Sequence, residues 1–164
     1  GDSLGGTIAC TIEGLTCGVG EPMFDGLENR ISQAVFAIPA VKGIEFGDGF
    51  QLSELRGSEA RDEYFISDGK IALASNHNGG ILGGISTGEA LNFRVCIKPT
   101  PSISMPSKSV SFSKGENVEL KISGRHDPCI TLRAVPCVEA AAALAILDLM
   151  LGDINFSGRF VFND

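Results

Sequence analysis

Between Thr7 and Glu13 the side chains alternate, with Ile8, Cys10 and Ile12 on one face and Thr7, Thr11 and Glu13 on the other. That two-residue period predicts a half-buried strand. Glu13-Gly14 then predicts a hairpin turn into Leu15–Val19. After Pro22 the apolar positions fall at spacings of three and four: Phe24, Leu27, Ile31, Ala34, Val35 and Ile38. This is the stripe of an amphipathic helix, ended at Pro39. Val41–Phe46 resumes extended character. From Gly47 to Gly88 the chain is rich in glycine and charge and shows little regular period, and a long segment of that kind inside a compact domain is usually functional or mobile.

Leu91–Lys98 is the clearest strand, with Leu91, Phe93, Val95 and Ile97 alternating against Asn92, Arg94, Cys96 and Lys98, and it is closed by Pro99 and Pro101. Val110 and Phe112, then Val118, Leu120 and Ile122, flank Lys114-Gly115-Glu116 as a second hairpin. The final element, Pro136–Leu151, is apolar almost all the way round, which predicts a helix buried on every side. The order strand, strand, helix, strand, then strand, hairpin, helix predicts an α+β fold of helices layered with antiparallel sheet, and hints at two related halves.

Composition narrows the partners. Apolar residues at 43% and charged residues at 20% suit a globular chain. Its 21 glycines in 164 residues are about twice the usual ~7%, so many tight turns are expected. A net charge of −7 without clustered Lys or Arg argues against a nucleic-acid partner. Pro136, Glu139 and Asp148 interrupt the best membrane candidate, so no membrane association is expected. Five scattered cysteines and no CxxC suit reduced thiols in the cytoplasm, and two histidines make no metal site. The start at Gly1 rather than Met leads us to expect a truncated or processed polypeptide.

Four segments carry candidate chemistry: Pro39-Ala40-Val41-Lys42-Gly43, the glycine loop Asn76–Gly84, Lys98-Pro99-Thr100-Pro101-Ser102, and Gly124-Arg125-His126-Asp127-Pro128-Cys129. Paired glycines are mostly turns, yet without Cβ atoms their amides approach an anion or a flat ring closely. Lys98 and its rigid loop are either a solvated strand end or a fixed cation with two hydroxyls beside a ligand. Arg125, His126 and Asp127 are either a structural salt-bridge run or, at the edge of an apolar core, a proton relay. Gly84-Ile85-Ser86-Thr87-Gly88 matches the G-x-S-x-G of serine hydrolases, with His126 and Asp127 downstream. The strand-before, helix-after context of a nucleophile elbow is missing.

In order and spacing these four segments resemble chorismate synthase. So do Gly1–Gly6, Gly20-Glu21-Pro22, Gly47-Asp48-Gly49-Phe50, Arg56-Gly57-Ser58 and Arg133-Ala134-Val135-Pro136 with Val138-Glu139-Ala140. The resemblance covers residues 1–151, read as the C-terminal half of one domain, with a tail over 152–164. It implies helices between antiparallel sheets, a homotetramer, and a lyase of the shikimate pathway. The implied reaction is a trans-1,4 elimination of phosphate from 5-enolpyruvylshikimate-3-phosphate to give chorismate. Reduced FMN is required, and NADPH is associated with the family.

By the same resemblance the flavin contacts are Pro39, Ala40, Gly83, Lys98, Pro99, Thr100, Pro101, Ser102 and Arg125. Arg125 also faces the substrate, and Asp127 assists removal of the ring proton, making Arg125 and Asp127 the catalytic candidates. The glycine loop, the lysine–proline loop and Asp127 are expected to form one wall of the flavin pocket. The family's two catalytic histidines belong to the other half, and His77 and His126 are not those residues. A chain of this length is therefore expected to be inactive alone. A catalytically dead flavin-binding or assembly module is the alternative, and a serine hydrolase a remote one.

Overall fold

The computed structural model describes residues 1–152. The expected tail therefore lies, from residue 153, outside the described residues. The chain is α+β. Its elements are β1 (Gly6–Ile12), α1 (Leu27–Phe36), β2 (Val41–Phe46), α2 (Gly57–Ala60), β3 (Tyr64–Ser67), β4 (Lys70–Leu73), β5 (Ile81–Leu82), β6 (Ile85–Ser86), β7 (Leu91–Ile97), β8 (Ser107–Ser111), β9 (Glu116–Leu120) and α3 (Thr131–Gly152).

The alternation at Leu91–Ile97 marks the strand on which the rest is built. β7 is the middle of an antiparallel sheet ordered β1-β7-β2. Ile8 and Ile44 both oppose Val95, and Cys10 and Phe46 both oppose Phe93, so one face collects apolar side chains from all three strands. The Phe46 and Phe93 rings lie 5.8 Å apart, tilted. A register shift between Val41 and Gly43 marks a bulge in β2.

Onto that face pack α1, through Leu27, Ile31 and Val35, and α3, through Val138, Ala142, Ala145 and Ile146. Both sets recur at three- and four-residue spacings, as a helix lying along a sheet requires. Arg30 of α1 also pairs with Asp148 of α3. The remaining sheets are the two-stranded hairpins β3–β4, β5–β6 and β8–β9.

Several expectations change. Leu15–Val19 is not a strand: β1 pairs with the distant β7, while Leu15 and Val19 are buried in the core as an irregular connection. The helix after Pro22 opens as a short 3-10 turn, Met23–Asp25, which leaves Phe24 exposed, and only from Leu27 does the apolar stripe face the core. The stretch from Gly47 to Gly88 contains two hairpins, β3–β4 and β5–β6. The last helix begins at Thr131, carries Pro136 within its first two turns, and is buried along one stripe, not all round: Leu132 is 79%, Leu144 66% and Leu151 60% exposed. At 22 residues it is long and apolar enough to cross a bilayer by length and composition, although its buried stripe packs on the core.

The β5–β6 hairpin fastens the start of α1. Leu27 N donates to Gly84 O at 2.8 Å, and Ser86 N donates to Val19 O at 2.8 Å. Gly84 has φ +87°, and a Cβ there would strike Glu21 O and the Gly26 Cα, whereas Gly83, at φ +62°, faces open space. Gly84→Ala should therefore lower stability by about 3 kcal/mol or more, and Gly83→Ala by about 1–2 kcal/mol. Urea unfolding of the two variants checks this, with equal losses counting against the packing described.

Candidate functional site

At its C-terminal end β7 delivers Lys98 beside the start of β2. Lys98 N donates to Ala40 O at 2.9 Å. Ala40 holds a left-handed φ of +72°, a conformation that costs a non-glycine residue roughly 1–2 kcal/mol and is therefore maintained by its surroundings. The N-terminal segment straps this end of the sheet to the start of α3. Ser3 Oγ donates to Thr100 O at 2.7 Å, and Leu4 N donates to Pro128 O at 2.8 Å. Gly5 sits where a Cβ would strike Ile97 O and the Pro99 ring, so no other residue fits this strap without displacing it. Pro39-Ala40, Lys98–Ser102 and Arg125–Pro128 are thereby gathered at one end of the sheet.

A cleft of about 500 Å³ opens there, lined by Arg125, His126, Asp127, Pro128 and Arg133. Asp127 is fixed on both oxygens: Cys129 N donates to Oδ1 at 3.2 Å and Arg133 Nη1 to Oδ2 at 2.9 Å. Its ion pair is thus with Arg133 and not with the adjacent Arg125, which is exposed. Three side-chain atoms nearby are buried with no hydrogen-bond partner among the described residues: Thr100 Oγ1, His126 Nε2 and Thr131 Oγ1. Buried polar atoms are nearly always satisfied, so orphans gathered beside a cleft point to a polar ligand. Sequence reasoning passed over Arg133. With the helix expected from Pro136, nothing marked it; in the structure α3 starts at Thr131, so Arg133 is a cation in the first turn, against the local dipole.

The glycine loop lies elsewhere. Gly47 N donates to Asn92 O, Asn92 N to Gly79 O, and Asn76 Nδ2 to Ala90 O, which places residues 76–80 at the N-terminal end of β7. Gly83, in the β5–β6 turn at the start of α1, is likewise at that end, a strand length of roughly 20 Å from Lys98. Within this chain the two loops do not form a single wall. Ser86 is 3% exposed, its hydroxyl donating to Thr16 O at 2.6 Å and accepting from Val19 N at 2.9 Å. It is a buried strut between backbone segments.

Two carboxylates hold the glycine loop. His77 Nδ1 lies 2.5 Å from Asp48 Oδ2, and Asp48 N donates to His77 O at 2.9 Å. The bond to Asp48 raises the His77 pKa, against partial desolvation and with help from the charges of Asp48 and Asp62. Burial alone would raise Asp62, but hydrogen bonds from Ser75 Oγ, from Asn78 through N and Nδ2, and from His77 N bring it down to about 2. A raised histidine pKa stabilises fully below about 6.5 and loses its effect as pH rises through the folded value. A lowered aspartate pKa stabilises above about 3.9 and is lost as pH falls toward 2. The stability gap between wild type and His77→Asn should therefore narrow as pH rises above 6.5, and that for Asp62→Asn should narrow below pH 4. Urea midpoints across pH 2–9 measure both, and a gap that widens in either window contradicts the assignment.

The family model for chorismate synthase matches residues 1–151. Chorismate synthase of Archaeoglobus fulgidus is 50% identical over 151 residues, covering 92% of this chain and 42% of that protein. That of Dehalococcoides mccartyi strain 195 is 52% identical with the same coverages. A crystal structure of chorismate synthase superposes with a TM-score of 0.73 at 28% identity, over 93% of this chain and 38% of that one. The chain thus spans about two fifths of the length of the relatives it matches. Sequence, family model and fold agree, and the chain belongs to the chorismate synthase family.

Proposed function

We propose that this chain is the C-terminal half of a chorismate synthase and supplies part of the site at which 5-enolpyruvylshikimate-3-phosphate loses phosphate and a ring proton in a trans-1,4 elimination. The observation that carries the reading is the gathering of Ala40, Lys98–Ser102 and Arg125–Asp127 at one end of the sheet, beside unpartnered Thr100 Oγ1 and His126 Nε2. Such a set suits FMN. Lys98 supplies a cation, Thr100 and Ser102 supply hydroxyls, and Pro39, Ala40, Pro99 and Pro101 supply backbone held rigid against a flat ring. Held by these residues, reduced FMN would supply the electron density that eases departure of phosphate. Gly83, at the far end of β7, stands apart from this set.

The chain's own groups have separate tasks. Arg125 is exposed at the cleft and free of Asp127, so its guanidinium is available to a phosphate or carboxylate of the substrate in the bidentate geometry that such anions favour. Asp127, anchored by Cys129 N and Arg133, presents a carboxylate of fixed orientation to assist departure of the ring proton. The remaining basic groups required by a multiply charged anion belong to the other part of the enzyme. A chain of net charge −7 binds such an anion weakly by itself. The cytoplasm, with its reduced thiols and NADPH, is the compartment this reading implies.

Chorismate formation by the complete enzyme with reduced FMN, followed by absorbance under anaerobic conditions, tests the reading. The complete enzyme should turn over and the 164-residue chain alone should not. Asp127→Asn in the complete enzyme should slow turnover by roughly 100-fold or more while flavin binding changes little. A complete enzyme that binds no FMN contradicts the proposal.

A further inference from the structure

We propose that Arg133 is a positioning residue for the reaction, acting through Asp127. The inference rests on the reading of Asp127 as the carboxylate that handles the ring proton, and it adds a group to which no role has been assigned. Arg133 is the third residue of α3, within the first turn, where the amide groups of the helix present positive potential and a cation is disfavoured. No acidic residue in that turn offsets it. Its side chain is 81% exposed and paired with Asp127, whose own side chain is 27% exposed. An exposed pair of this kind adds at most about 1 kcal/mol to stability. Folding therefore gives little reason to place an arginine there.

The geometry gives another reason. Asp127 has two oxygens, and each is held from a different direction, Oδ1 by the backbone of Cys129 and Oδ2 by the guanidinium of Arg133. Two anchors on two oxygens fix the plane of the carboxylate, where one would leave it free to rotate about its bond to Cβ. The carboxylate so held lies in the lining of the cleft, together with Arg125, His126, Pro128 and Arg133. The second anchor thus sets where a proton can be received. A local arrangement that opposes the helix dipole without contributing to stability is what a functional constraint leaves behind.

The test uses the complete enzyme with Arg133→Gln, Arg133→Lys, Asp127→Asn and the double variant Arg133→Gln/Asp127→Asn. Arg133→Gln should lower kcat by roughly ten- to hundredfold, as a misplaced reactive group does, with KM for 5-enolpyruvylshikimate-3-phosphate, flavin affinity and Tm essentially unchanged. Arg133→Lys should recover part of the loss, because an ammonium keeps the charge but not the planar fork. The double variant should be no slower than Asp127→Asn, since the arginine works through that carboxylate. If Arg133→Gln turns over at the wild-type rate while Asp127→Asn is slow, the positioning role is overturned and the reading of Asp127 stands. A rise in KM without a fall in kcat also overturns it, by making Arg133 a substrate ligand. If Asp127→Asn turns over normally, the reading of Asp127 fails and the proposal falls with it.

Discussion

Strand β7 is hydrogen-bonded along both edges, to β1 and to β2, while Leu91, Phe93, Val95 and Ile97 are sealed beneath α1 and α3. Each of these side chains contributes about 1.5–3 kcal/mol through burial, and a one-residue slip would turn all of them to the opposite face. The strand therefore has one register, and its two ends have fixed positions. The segments proposed for chemistry are attached at those ends. Lys98 follows the last residue of β7, and the glycine loop is tied to Asn92 at the other end.

The C-terminal end is stiffened with little side-chain material. The segment Ser3–Gly5 runs between the Pro99 loop and Pro128, bonded to both by main-chain oxygens, and a glycine allows the close approach. Ala40 adopts a left-handed backbone next to Lys98, and Thr100, His126 and Thr131 each leave a buried polar atom unsatisfied. Among the described residues the unmet buried side-chain hydrogen bonds fall at this end of the sheet, beside Ala40, as they do at sites whose order serves a ligand and not stability alone.

Much of the fold was legible because period-two and three-four patterns state directly which face is buried. β7 and α1 follow from them, whereas β2 was read only as extended chain and the β8–β9 hairpin from alternation about Lys114-Gly115-Glu116, although every residue of β9 is exposed. The failures have physical causes. Every residue of β3, and Lys70 and Ile71 of β4, is exposed, so no inward face imposed an alternating pattern on that hairpin. The partner of β1 lies some eighty residues away, and a nearby Glu-Gly turn was a misleading local signal. α3 is apolar all round, yet this chain covers only one stripe of it, and a sequence cannot show how much of its surroundings is present. At the site, the resemblance brought forward Arg125 and Asp127, whereas the ion pair from Arg133 depends on a turn that places two residues six apart in contact. The separation of Gly83 from Lys98 depends on the direction of β7 between them, which no motif carries.

In the proposed function a flavin rests against the end of β7 formed by Ala40, Lys98–Ser102 and Arg125–Cys129. Amide hydrogen exchange of the complete enzyme, with and without reduced FMN, measures this most directly. The account predicts that flavin slows exchange in peptides covering residues 96–102 and 125–130. Protection confined to other parts of the enzyme, with these two stretches exchanging at the same rate in either state, would contradict it.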